Sequence, residues 1–195
     1  MGLTIHYTLT VKHGMGIRAL KKLLLKTQML ARKNGCAHVG KVLHSSKSDS
    51  DAPPFFDCRP GRKRRLHGGG RGTKGWLLEV WPGEGCETAV FGVLEYHREL
   101  PRRKRQLIWE VRYAKRPNWK LHAWCKTCFA AEHGCENFVQ CHLRVIQLLD
   151  LWRKAGVTVE VHDGSGYWKS RDRELLVREG AAYEAYFKKY ASVLS

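Results

Sequence analysis

Apolar residues recur along this chain in two rhythms. Between Gly16 and Asn34 they return every three or four positions: Ile17, Leu20, Leu23, Leu24, Thr27, Leu30 and Ala31 share one arc of a helical wheel. Arg18, Lys21, Lys22, Lys26, Arg32 and Lys33 occupy the opposite arc. This spacing predicts an amphipathic helix that stops at Asn34-Gly35. A second helical period, from about Glu136 to Ala155, lines up Cys141, His142, Val145, Ile146, Leu148, Leu149 and Trp152. A third, from about Arg171 to Val193, has Ser170 as its expected N-cap. The other rhythm, alternation or β-rich runs, predicts strands at residues 3–11, 38–43, 76–81, 88–97, 106–113, 119–129 and 157–162.

The order β-α-β, an insertion, four strands and then α-β-α mixes hairpins with crossovers. It predicts one α+β domain over residues 1–195, with a mixed, mostly antiparallel sheet covered by three helices, and not a doubly wound α/β fold. The insertion spans residues 45–75. It opens with the Ser/Asp/Pro linker chemistry of residues 45–54 and continues as an Arg/Gly tract expected to be flexible and to hold neither helix nor strand.

Charge sharpens this picture. The 195 residues carry 35 Lys plus Arg against 18 Asp plus Glu, a net charge of +17. The excess is local: eight Lys/Arg and no acid in residues 12–41, seven and no acid in 59–75, and five against the single Glu99 in 98–105. Localised cationic charge suits a polyanionic partner. The expected nucleic-acid contacts are Arg18, Lys22, Lys26 and Lys33 on the first helix, Arg62, Lys63, Arg64, Arg65 and Arg71 in the arm, and Arg102, Arg103, Lys104 and Arg105 at a crest between two strands. No RNA- or DNA-reading signature accompanies them, so RNA and DNA stay equal alternatives. An accessory subunit of a ribonucleoprotein is a related reading. No apolar run is long enough to span a bilayer and no export signal is evident, which predicts a cytoplasmic protein with no membrane partner; oligomeric state is open.

The stretches Trp81-Pro82-Gly83-Glu84-Gly85-Cys86-Glu87 with Phe91-Gly92, Cys125-Lys126-Thr127, Glu132-His133-Gly134 with Asn137-Phe138 and Cys141-His142, and Gly166-Tyr167-Trp168 with Arg171-Asp172 resemble a group of small, uncharacterised bacterial proteins over about residues 76–175. The resemblance implies no activity or cofactor, and the group carries Gln where this chain has Cys128.

Three constellations carry candidate chemistry. Cys125-x-x-Cys128 followed by His133 has the first three ligands of a zinc knuckle, with Cys135 or Cys141 as the fourth. Zinc is therefore one expectation and buried cysteines acting as small hydrophobes the competing one. Glu84, Cys86 and Glu87 in a Pro/Gly turn offer acid–base or covalent chemistry if His6, His97 or His142 reaches them, the basis of an alternative reading as a small hydrolase or transferase. His142, on an apolar helix face, also reads as a core histidine satisfied by a backbone carbonyl. Finally, the Gly-rich loop 163–168 precedes a helix, a place where anions bind.

Overall fold

The structure, a computed structural model, describes residues 3–11, 15–45, 55–56, 63–64, 75–96 and 118–191. Among them, nine strands and four α-helices follow one another as β1 Thr4–Val11, α1 Ile17–Lys33, β2 His38–Val39, β3 Leu43–Ser45, β4 Phe55–Phe56, β5 Lys63–Arg64, β6 Gly75–Trp81, β7 Ala89–Tyr96, β8 Asn118–Lys126, α2 Cys135–Lys154, β9 Thr158–Asp163, α3 Tyr167–Ser170 and α4 Arg173–Ala191. A 3-10 helix, Cys128–His133, joins β8 to α2. The protein is α+β, as its two rhythms predict. The expected strand 106–113, the crest 102–105, His97, most of the arm and the last residues of the third helix lie outside the described residues.

The sheet runs β2-β6-β7-β8-β1-β9, with β3 also on β6. Every ladder in it is antiparallel, which corrects the expectation of a mixed sheet. The reason is the position of β1. The β8-α2-β9 crossover joins two strands of the same direction, but β1 lies between them and pairs antiparallel with both. The predicted strand 38–43 is two short strands on β6. Val39 faces Val80 and Leu43 faces Leu77, so one extra residue on the β2–β3 side makes a bulge. Inside the insertion, Phe55–Phe56 pair with Lys63–Arg64, a departure from the expectation that the arm holds no strand.

One face of the sheet carries the core. Ile5, Tyr7 and Leu9 of β1, Leu78 and Val80 of β6, Phe91 and Val93 of β7, and Leu121 and Cys125 of β8 are buried beneath α1 and α2. Helix α1 forms because its 17 residues contain no Gly or Pro and its buried Leu20, Leu23, Leu24, Thr27 and Ala31 recur at helical spacing. Ile17, predicted to face inward, is 48% exposed at the helix start. Thr27 returns its hydroxyl proton to the Leu23 carbonyl and accepts the indole N–H of Trp152 at 3.0 Å, so both buried polar groups are satisfied where α1 crosses α2. Both helices end in the same Schellman pattern: the N–H of Gly35 reaches Arg32 O and that of Cys36 reaches Ala31 O, while Gly156 and Val157 repeat this with Arg153 and Trp152. Gly35 and Gly156 take the left-handed backbone that the motif requires.

The third long helix does not cover the sheet. It stacks on α2 and on the 3-10 helix over a second cluster built from Leu3, Cys128, Phe138, Val139 and Leu176. Gly180 makes the crossing close, since a Cβ there would meet Phe138 at 2.6 Å. Glu184 of α4 accepts the N–H of Cys135 at 2.8 Å and so caps α2. The predicted helix from Arg171 is also corrected. Arg171 adopts φ 57°, held by two bonds to Asp150 of 2.8 and 2.9 Å and by its place 4.4 Å over the Trp168 ring. That break separates α3 from α4, and Asp172 takes over from Ser170 as N-cap, its Oδ1 accepting the N–H groups of Glu174 and Leu175. Among the described residues no helix is long and apolar enough to cross a membrane.

Candidate functional site

The cationic arc of α1 is on the surface. Arg18, Lys21, Lys22, Lys26, Arg32 and Lys33 are exposed, and no carboxylate among the described residues forms an ion pair with Arg18, Lys22, Lys26, Arg32 or Lys33. The helix carries no acid in its first turn and Arg32 and Lys33 in its last, where they also suit the helix dipole. Leu25 and Met29 share this outer side, 53% and 69% exposed, a mixture the wheel understated. Of the arm, Lys63 and Arg64 enter β5; Arg62, Arg65 and Arg71 lie outside the described residues, as do Arg102, Arg103, Lys104 and Arg105.

The predicted catalytic set divides among separate neighbourhoods. Glu84 is at the surface, 3.4 Å from the His133 imidazole. Cys86 is buried and shares a side-chain hydrogen bond with Cys141. That bond, with burial, pushes Cys86 up, while the same bond, working against burial and helped by Arg144, brings Cys141 down. Arg144 itself is fixed by the carbonyls of Asn34 and Pro82. The carbonyl of Glu87 receives the Cys125 thiol at 3.0 Å; burial first and the Glu87 carboxylate second push that thiol up. His142 engages none of Glu84, Cys86 or the Glu87 carbonyl in these contacts.

What His142 does engage was not predicted. Its Nδ1 is 3.1 Å from Thr127 Oγ1, and its Nε2 is 3.2 Å from Ser165 Oγ and 3.3 Å from Asp163 Oδ2. An ionised carboxylate only accepts, so Nε2 carries a hydrogen toward Asp163, while Nδ1 is paired with the Thr127 hydroxyl. Burial works to raise the Asp163 carboxyl, but the His142 bond and charge, with the N–H groups of Trp168 and Ser165, hold it at about 2. Ser165 gives its hydroxyl proton to Asp163 at 2.8 Å. It therefore stands on the same imidazole nitrogen as the acid, opposite to what a nucleophilic triad needs. Thr127 is on the other nitrogen, but both it and His142 are fully buried, so no substrate reaches them. The network ties β8, α2 and β9 together. It also fills the predicted anion loop, because Asp163 itself takes the N–H groups of Ser165 and Trp168 at the start of α3.

The zinc constellation does not assemble. β8 holds Cys125 in the sheet core and the chain turns at Thr127, so Cys128 enters the second cluster under α4. His133 faces Glu84, Cys135 Sγ points to the Val177 carbonyl, and Cys141 is beside Cys86. Among the described residues no three His, Cys, Asp or Glu side chains come together as metal ligands.

The other face of the sheet holds a group of residues that the sequence reading did not bring together; His6, expected near Glu84, Cys86 and Glu87, is among them. The register aligns Trp124 of β8, His6 of β1 and His162 of β9 in one row, and His122, Thr8 and Glu160 in the next. Trp124, His6, His122 and His162 are exposed over a shallow cleft of about 340 Å³. The His6 and His162 ring centres are 6.4 Å apart. His122 Nδ1 lies 2.8 Å from Thr8 Oγ1; partial burial and neighbouring Lys120 lower its pKa against the pull of Glu160. The signal was present as the alternation His6, Thr8, Thr10 in β1 and Lys120, His122, Trp124, Lys126 in β8. Beyond Lys126, a second cleft of about 390 Å³ is lined by Phe129, Tyr183, Tyr186 and Phe187. No protein-family model matches this chain, and neither does any curated protein or solved structure.

Proposed function

We propose that this protein binds nucleic acid through phosphate contacts, in the cytoplasm, with the exposed face of α1 as one contact surface and the basic arm and crest as others. The observation that carries this reading is the outer side of α1: six exposed cations on one helix, none of them ion-paired to a carboxylate among the described residues. A solvated helix face is ordinarily laced with both signs of charge. Here the self-repulsion has no internal relief, and a polyanion supplies it while releasing its condensed counterions. The hydrolase or transferase alternative loses its support, because Glu84, Cys86 and His142 each bond to different partners.

The test is the slope of log affinity against log salt for a labelled oligonucleotide. Lys22→Glu with Lys26→Glu should flatten it by about 1.8 on a duplex if each makes one contact, by the rule of roughly 0.9 per phosphate. Replacing the seven Lys/Arg of residues 59–75 by Gln should flatten it by at most ~6 on duplex or ~5 on single strands. Slopes that stay unchanged after both alterations overturn the proposal.

A further inference from the structure

We infer that the exposed part of the sheet formed by β8, β1 and β9, on the side away from α1, takes the unstacked bases of a single-stranded nucleic acid. This inference rests on the nucleic-acid reading and names the form of nucleic acid that the protein prefers.

The argument begins with what an antiparallel sheet does with alternation. Residues paired across strands share a face, so Trp124, His6 and His162 stand abreast on β8, β1 and β9. All three are exposed, Trp124 by 39%. A row of planar rings on a solvent-facing part of the sheet offers π-faces to bases, and the His6 and His162 rings there have centres 6.4 Å apart, tilted by 32°. Bases in a duplex are covered above and below by their neighbours, whereas those of a single strand can turn a face to such rings.

The charges agree. Lys126 lies two residues and Lys120 four residues from Trp124 along β8, all on the same face, where phosphates on either side of a stacked base would run. Among the described residues, Glu160 is the one carboxylate lining the cleft, and it sits in the adjacent row. The track continues past the strand end: Lys126 Nζ lies 4.6 Å over the Phe129 ring, which opens into the second cleft beside Tyr186 and Phe187. The occupant is thus an anionic chain bearing planar rings, and on a protein of net charge +17 single-stranded RNA or DNA has that chemistry.

The experiment titrates the full chain into fluorescent oligo-dT, oligo-U and a blunt duplex of equal length, at one salt concentration, following anisotropy. Wild type should bind at least one of the single strands more tightly than the duplex. Trp124→Ala should weaken single-strand binding by roughly ten-fold, the scale of one lost base–aromatic stack. It should leave duplex affinity within about two-fold and the salt slope unchanged, since no charge is removed. Trp124→Phe should restore most of the loss. Because Trp124 is a surface residue, the variants should fold, and their melting curves check this. His6→Ala with His162→Ala gives an independent second loss. Equal weakening of single strand and duplex, or single-strand affinity unmoved by both sets of changes, overturns the inference. If slopes still respond to Lys22→Glu and Lys26→Glu, the phosphate-contact proposal survives that failure; if wild type binds neither form, both fall.

Discussion

The two faces of one sheet treat histidine in opposite ways. On the covered side, His142 has no exposed surface, and each ring nitrogen has a side-chain partner. On the open side, His6, His122 and His162 face solvent, and only His122 has a hydrogen bond described above. The difference teaches that residue type says little about role until burial is known. A buried imidazole with a complete set of partners is a joint between β8, α2 and β9. An exposed one beside Trp124 is a surface that something else can use.

This contrast can be broken first by mutation. His142→Ala leaves Thr127, Ser165 and an ionised Asp163 buried without their common partner, and should lower unfolding free energy by about 3–5 kcal/mol in urea melts, the range for breaking a buried pair from one side. His6→Ala or His162→Ala should each change it by no more than about 0.5 kcal/mol. Similar losses on both faces would dissolve the comparison. Next in size, Gly180→Ala forces a methyl against Phe138 where α4 crosses α2 and should cost about 1–3 kcal/mol, as overpacking does.

A smaller effect concerns pH. The Asp163 carboxyl is held at about 2 against an ordinary 3.8. Its folded-state value is the lower one, so its stabilisation is whole above about pH 4 and fades as pH falls toward 2. The stability gap between wild type and Asp163→Asn should therefore be widest near neutrality and close across that window. A gap constant with pH would mean that Asp163 acts through shape alone. Smallest of all, with no effect on stability, is thiol labelling. N-ethylmaleimide should reach half-exposed Cys36 and Cys135 in the native protein, slowly because burial raises Cys36 to about 11 and also raises Cys135. Cys86, Cys125 and Cys141 should wait for unfolding.

Much of the fold was legible from the chain because local periodicity decides local structure. The inner arc of α1 apart from Ile17, its stop at Asn34-Gly35, the apolar face of α2 and the alternation of β1 all survive into the structure. What was not legible depends on long-range pairing. Periodicity marks Thr8 and Thr10 as outward but cannot show that β8 and β9 bring Trp124 and His162 to either side of His6. The His142 network was hidden for the same reason: Thr127, His142, Asp163 and Ser165 come from a turn, a helix, a strand end and a loop. The start of α4 was misplaced because a stacked, ion-paired Arg171 in the left-handed region outweighed the helix propensity around it. Cys125 and Cys128 were separated by a turn at Thr127 that no residue spacing marks.

The place of β1 between β8 and β9 also governs when the sheet can form. Its partners are Thr4 with Lys126 on one side and Ile5 with Asp163 on the other. β1 therefore has no neighbour until β8, Asn118–Lys126, has left the ribosome, and lacks its second until α2 and β9 follow. Loop closure over such separations is entropically costly, so completing the sheet waits for β9 and is expected to be slow. A nascent chain arrested before β9 presents β1 with one bare edge and α2 with no second anchor, a form exposed to capture by chaperones and proteases.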